Sequence, residues 1–266
     1  MTSLSSPTSA THAFEHVRFI MVQPSHPGNV GAAARAIKTM GFKELWLVAP
    51  KYPDIHQHED AIALASGATD VLSQVHIVPS FEAALASVSL SFALTARPRH
   101  LGPPALDIRE SAQLAAHHAY NQAHSVAIVL GTERTGLSNQ QLELCQYTCH
   151  IPANPEYSSL NVAQALQLAA WELRYALLES NQSHTLPSTQ GKADPGAMLA
   201  PMSATDAFLA HLEEALIAIE FLDPTHPKKL LTRIRQLFRR SQLSNDEVAL
   251  LRGVCKAILK SARSPH

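Results

Sequence analysis

Residues 126–137 read VAIVLGTERTGL. The first five, Val126–Leu130, are apolar and rich in β-branched side chains, as in a strand buried on both faces. Gly131 follows at once, where the chain either needs positive φ or lets another group come very close. In an open parallel sheet, ligands bind just beyond the carboxyl ends of the strands. Glu133 then belongs at the rim of a pocket, unless GTERTG is only a turn into the next element. Working outward, the same strand character recurs in VRFIMVQ at 17–23, LWLV at 45–48, His76–Val78, Ser91–Thr95 and Tyr147–Ile151. Helical stretches separate them: Asn29–Met40 with Asn29 as its cap and Gly41 as its stop, 59–66, Phe81–Ala86, Asp107–Tyr120 and Ser158–Leu178. Strands alternating with helices predict an α/β fold on a mainly parallel sheet.

Residues 181–203 are polar and contain Pro and Gly, so they read as a linker. Three helices follow, at 204–221, 227–240 and 244–261. The organisation expected is a disordered lead-in (1–16), an α/β domain (17–180), the linker (181–203) and a small helical appendage (204–266). The 266 residues carry a net charge of −1, which by itself argues against a nucleic-acid partner. Its distribution argues otherwise. Residues 1–199 hold 11 Lys/Arg against 15 Asp/Glu, and residues 200–266 hold 10 against 7. Lys228 to Arg240 contains six basic residues and no acid, which is either a solvated helix face or a surface for an anionic partner.

Several classes are excluded. No G-x-G-x-x-G follows the first strand and no G-x-x-x-x-G-K-[ST] occurs, so dinucleotide and P-loop fingerprints are missing. No G-x-S-x-G nucleophile elbow is present. No apolar run is long enough for a membrane span. Three cysteines, Cys145, Cys149 and Cys255, form an odd, sparse set that suits a reducing cytoplasm. Cys145, Cys149 and His150 lack the second ligand pair of a structural zinc site, so no metal is expected.

Two further segments stand out. Pro27–Arg35 reads PGNVGAAAR, a turn into a helix start built from small residues, which something can approach closely. Ile151–Ala163 reads IPANPEYSSLNVA: two prolines stiffen a loop, and Ser158 or Ser159 can cap the next helix. The free N–H groups of a helix start can also hold a ligand's polar atoms.

In this order, N-x-G-A-x-x-R (Asn29–Arg35), G-T-E-R-x-G-L (Gly131–Leu137) and N-P-x-x-S-S-L-N-V-A (Asn154–Ala163) resemble the three motifs of the SPOUT superfamily of methyltransferases. PEYSSLN at 155–161, AIKTMGF at 36–42, FLDPTHPKKL at 221–230 and RQLFRR at 235–240 are similar to its TrmJ subfamily. The likeness runs from Val17 to Leu259. It implies a trefoil-knotted α/β domain acting as a homodimer, with S-adenosylmethionine in the knot. The implied reaction is 2′-O-methylation of a pyrimidine in the tRNA anticodon loop, at position 32. The matching cofactor positions are Leu94, Thr95, Ala96, Gly131, Ile151, Ser158, Ser159 and Leu160. At Leu94 the chain departs from the small or polar residue expected; a backbone contact tolerates this and a side-chain hydrogen bond does not. Arg35 matches the catalytic arginine, with Asn29, Glu133, Ser159 and Asn161 orienting it and the ribose. Arg97 and Arg99, beside His100, and Lys228, Lys229, Arg233 and Arg235 in the tail are placed to hold RNA phosphates. Ribosomal RNA as substrate, a non-catalytic RNA-binding protein and a nucleotide-cofactor oxidoreductase are the competing readings.

Overall fold

The structure is a computed structural model that describes residues 13–96, 102–121, 125–183, 198–225 and 230–263. The chain divides into two compact units, Met1–Ser188 and Thr189–His266.

The first unit is built on seven parallel strands: β1 (Val17–Val22), β2 (Glu44–Val48), β3 (His76–Val78), β4 (Val88–Leu94), β5 (Ala105–Asp107), β6 (Ser125–Leu130) and β7 (Tyr147–His150). Their order across the sheet is β3-β2-β1-β6-β4-β7-β5. In β1, β4 and β6 all residues but one are buried, so these central strands are covered on both faces, as parallel sheets require. The cover comes from α1 (Pro27–Thr39), α2 (Glu59–Ala65), α3 (Thr69–Ser73), α4 (Phe81–Leu85), α5 (Ile108–Asn121), α6 (Asn139–Glu143) and α7 (Val162–Ser183). On α1, Val30, Ala33, Ala34 and Ile37 are fully buried in the main core with Phe19 and Leu47.

The expected alternation holds, with differences at the ends. β5 has three residues and α3 five, too short for any periodicity to emerge. α6 is also short, but Ser138 and Gln141 form a reciprocal capping box that marks its start. Residues 13–16, expected in the lead-in, are ordered. Ala13 is buried, and Phe14 packs on Phe42 with ring centroids 5.0 Å apart.

The caps differ most. α1 begins at Pro27, with His26 at the N-cap and no side-chain capping bond, so Asn29 lies inside the helix and is not its cap. Pro at the first helical position has no N–H to satisfy. α7 begins at Val162. Its cap is Asn161, whose Oδ1 accepts from the N–H of Ala163 at 2.9 Å, and not Ser158 or Ser159. That leaves residues 158–160 outside the helix and free to shape the loop before it.

The small residues of α1 serve packing. A Cβ on Gly31 would collide with the carbonyl oxygen of Ala61 and stand 2.8 Å from its carbonyl carbon, so α1 and α2 meet backbone to backbone. Gly31→Ala is therefore expected to destabilise the unit by about 2–3 kcal/mol. That corresponds to a melting midpoint lowered by roughly 5–10 °C. An unchanged midpoint would mean that α2 moves aside freely.

The second unit holds α8 (Met202–Ala218), α9 (Leu230–Arg240) and α10 (Asn245–Arg263). Phe208, Leu209, Ala215, Val248 and Cys255 form its core, and Phe238 meets Phe208 edge-on at 4.9 Å. α9 has no fully buried residue. Two of its arginines turn to acids of α8: Arg239 to Asp206 at 2.9 Å and Arg235 to Glu213 at 3.2 Å. Arg235, expected among the RNA contacts, is thus an exposed residue with an internal partner; such pairs are weak and exchangeable. No helix among the described residues is long and apolar enough to cross a membrane.

Candidate active site at the carboxyl ends of β4, β6 and β7

Three neighbouring strands, β6, β4 and β7, end side by side. The loops leaving them enclose a cleft of about 860 Å³, counting the space open to solvent. β4 contributes Leu94, Thr95 and Ala96; β6 contributes Leu130 and the loop Gly131–Gly136; β7 contributes Ile151. Ser158, Ser159 and Leu160 close it from the segment before α7, backed by Val162 and Ala165. All eight positions that the motifs suggested for a cofactor line this one cleft, together with Glu133. Leu94 is half-buried, packs against the core and forms an apolar wall. The N–H of Thr95 donates to the Cys149 carbonyl at 2.9 Å, which ties the exit of β4 to β7.

The Gly131–Gly136 loop is folded on itself. Thr132 and Gly136 exchange two backbone hydrogen bonds, and the hydroxyls of Thr132 and Thr135 lie 2.8 Å apart. Gly131 packs so tightly against the backbone of Gly136 and Leu137 that a Cβ has no room. The glycine is there for close approach; its φ is not in the left-handed range.

Glu133 turns towards the start of α1. Its two carboxylate oxygens accept from the N–H of Ser25 (3.1 and 3.3 Å), the hydroxyl of Ser25 (2.9 Å), the N–H of His26 (3.1 Å) and Nδ2 of Asn29 (3.3 Å). It thereby supplies, from 104 residues away, the anion that favours a helix N-terminus. Burial, the largest single influence, pushes its pKa up. Hydrogen bonds from its own backbone N–H and from His26, Asn29 and Ser25 together outweigh that and hold it below the ordinary carboxylate value. A carboxylate so occupied is an anchor and a poor proton acceptor.

Asn29 extends this anchor. Its Oδ1 accepts from Nδ2 of Asn161 at 3.0 Å while its Nδ2 donates to Glu133. The orientation of both amides follows from their partners, since Asn161 uses its oxygen to cap α7 and Glu133 needs a donor. One chain of hydrogen bonds, Asn161 to Asn29 to Glu133, therefore joins all three sequence motifs. Asn29 and Asn161 hold the frame and do not line the cleft. Arg35 is exposed on α1, also outside the cleft, and its side chain has no hydrogen bond or ion pair among the described residues. Arg97, Arg99, His100, Lys228 and Lys229 lie outside the described residues.

Sequence reading missed Ser25, which gives Glu133 both its backbone N–H and its hydroxyl, while His26 contributes through its backbone N–H. It also passed over Thr132, Arg134 and Thr135, although they sit inside a quoted motif. Burial pushes the Cys149 thiol up to about 12, so it stays protonated. No group of three His, Cys, Asp or Glu residues able to hold a metal occurs among the described residues.

Glu133→Gln tests the anchor. A Gln amide keeps one acceptor oxygen but sets an NH2 donor where the second carboxylate oxygen accepted from Ser25, and it removes the negative charge at the helix start. The variant is expected to melt lower than the parent at pH 7. Because the folded pKa of Glu133 is depressed, its contribution is complete above the unfolded value near 4.3 and is lost as pH falls through the folded value. The gap between variant and parent should thus close below about pH 4. A gap independent of pH in melts from about pH 3 to 7 would assign the loss to shape and not to charge.

Against this geometry, residues 16–171 match the SpoU rRNA Methylase family. The chain belongs to this family. Residues 203–266 match the C-terminal domain of the tRNA methyltransferase TrmJ, which covers the helical unit. The tRNA (cytidine/uridine/adenosine-2′-O-)-methyltransferase TrmJ of Pseudomonas aeruginosa UCBPP-PA14 is 41% identical over 253 residues, 94% of this chain and 96% of that protein. The tRNA (cytidine/uridine-2′-O-)-methyltransferase TrmJ of Escherichia coli K12 is 39% identical over 92% of this chain and 95% of its own. Among solved structures, TrmJ from Z. mobilis ZM4 is 30% identical, covers 91% of this chain and 98% of its own, and has a TM-score of 0.74. A probable methyltransferase from Bordetella pertussis Tohama I is 68% identical over 63% of this chain and 99% of its own, with a TM-score of 0.60.

Proposed function

We propose that this SpoU-family protein moves a methyl group from S-adenosylmethionine to the ribose 2′-hydroxyl of a pyrimidine in the tRNA anticodon loop, at position 32. The observation that carries this reading is the reach of the likeness. It spans both units and includes the C-terminal domain, in relatives that are named as tRNA 2′-O-methyltransferases.

The cleft suits the cofactor. Leu94, Leu130 and Ile151 provide apolar walls for a base, while Thr95, Thr132, Ser158 and Ser159 bring hydroxyls for a ribose and an amino-acid group. The sulfonium supplies an electrophilic methyl, so the protein's task is to align the 2′-oxygen with it and to ease loss of the hydroxyl proton. Gly131, Ile151 and residues 158–160 hold the cofactor side. The anchored Glu133, Asn29 and Asn161 fix the loops, and Ser159 at the cleft wall orients the ribose. Arg35, whose planar fork of donors suits oxyanions, stands outside the cleft and holds the target phosphate and the 2′-oxygen. In the second unit, Arg233 is exposed with no partner among the described residues, and it contributes with Lys228, Lys229 and Arg235 to holding the tRNA body.

The protein acts in the cytoplasm as a homodimer, with a trefoil knot around the cofactor loops. The dimer is supported by one stripe of α7, where Leu168, Trp171, Tyr175 and Leu178 are each 40–50% exposed at helical spacing.

The experiment is to incubate the purified protein and S-adenosylmethionine with unmodified tRNA transcripts and map 2′-O-methylation. Methylation at one anticodon-loop pyrimidine is expected. Transfer to ribosomal RNA alone would keep the chemistry and replace the substrate. Transfer to neither would overturn the reading.

A further inference from the structure

Arg134 is a cation without a counterpart. It lines the cleft, is exposed, and its side chain has no hydrogen bond or ion pair among the described residues. Among those residues it is the only Lys or Arg that lines the cleft. The adjacent carboxylate does not neutralise it, because Glu133 is turned to Ser25, His26 and Asn29.

The position of Arg134 is also fixed. It stands at the tip of the loop that Thr132 and Gly136 close with two backbone hydrogen bonds. The N–H of Thr135 donates to the Thr132 hydroxyl oxygen at 3.2 Å, which leaves the tip little freedom. An exposed surface arginine normally loses several rotatable bonds of freedom when it grips a ligand. Here the backbone is already held, so only the side chain has to order.

A free guanidinium at the mouth of a hydroxyl-lined cleft is built to grip a pair of anionic oxygens through two parallel N–H donors. Two groups of that chemistry come to this site: a phosphodiester of the substrate RNA and the carboxylate of the cofactor. We propose that Arg134 binds the phosphodiester beside the target nucleotide and so positions the RNA chain over the cleft. Its exposure decides between the two sources. A polymer arrives from the solvent side, whereas the cofactor is drawn in between the apolar walls at Leu94, Leu130 and Ile151. The inference rests on the tRNA reading given above and adds a positioning residue to it.

The test measures binding apart from turnover. Arg134→Ala and Arg134→Lys are compared with the parent protein for tRNA affinity across a range of salt, and for S-adenosylmethionine affinity by calorimetry. Arg134→Ala should weaken tRNA binding about tenfold and make the salt slope shallower by about one, the signature of one lost phosphate contact. Cofactor affinity and melting midpoint should stay unchanged. Arg134→Lys should recover the slope but only part of the affinity, because it keeps the charge and loses the fork. An unchanged tRNA affinity and slope in Arg134→Ala would overturn the proposal. So would weakened cofactor binding with tRNA binding intact, which would assign the residue to the carboxylate. A parent protein that neither binds nor methylates tRNA would instead strike at the functional reading, and this shows before any variant is compared.

Discussion

Gly131→Ala is expected to abolish S-adenosylmethionine binding while the protein still folds. The added methyl would have to occupy space held by the backbone of Gly136 and Leu137, which cannot rotate away as a side chain would. The loop must open, breaking the paired hydrogen bonds of Thr132 and Gly136 and shifting Glu133 from Ser25 and His26. The sheet lies behind this loop and β6 is paired on both sides, so most of the core is untouched. We expect cofactor affinity to fall at least 100-fold, about 2.7 kcal/mol, with turnover lost in parallel. Calorimetry with the cofactor and a thermal melt check this. Affinity within threefold of the parent would mean that the loop is not part of the cofactor site.

Arg35→Ala is expected to do the opposite: to remove methyl transfer and spare the cofactor. Arg35 is exposed and does not line the cleft, and its side chain makes no hydrogen bond or ion pair among the described residues. Exposed helix positions of this kind change stability by no more than about 0.5 kcal/mol. A fall in activity is therefore attributable to the reaction. General acid–base and positioning groups typically contribute 10²–10⁴ in rate, and we expect turnover to drop at least 100-fold. Single-turnover kinetics with saturating tRNA measure it. Retention of most of the turnover would exclude Arg35 from the chemistry.

Much of this was legible in the chain itself. The parallel sheet could be read because its strands are buried on both faces and therefore appear as unbroken apolar runs, as in Val126–Leu130. The cleft could be read because strand ends, glycines and a stiffened proline loop are local features. What could not be read was which group satisfies which. Asn29 looked like a helix cap and proved to be a link, since Glu133 had already taken over the start of α1. Asn161, read as orienting the ribose and Arg35, also caps α7 and bonds Asn29. Arg235 looked free and proved to face Glu213. Glu133 at the start of α1 and Glu213 beside Arg235 come from distant parts of the chain, and composition and periodicity carry no information about such partners. β5 escaped for a different reason: three residues become a strand only because β7 offers them an edge.

The hydrogen bond from Asn161 to Asn29 spans 132 residues. A ribosome adding about 5–20 residues per second needs roughly 7–26 s to bridge that interval. Until this bond closes, Asn29 on α1 lacks the partner that ties it to the third motif. First Glu133 arrives to secure the helix start, and only then does Asn161 lock the third loop to the other two. The link between the three motifs thus forms late in the synthesis of this unit, with α7 still to follow. A chain that stops short of Asn161 carries all seven strands but lacks both this link and α7, whose Leu166, Ala169 and Leu173 are buried in the main core.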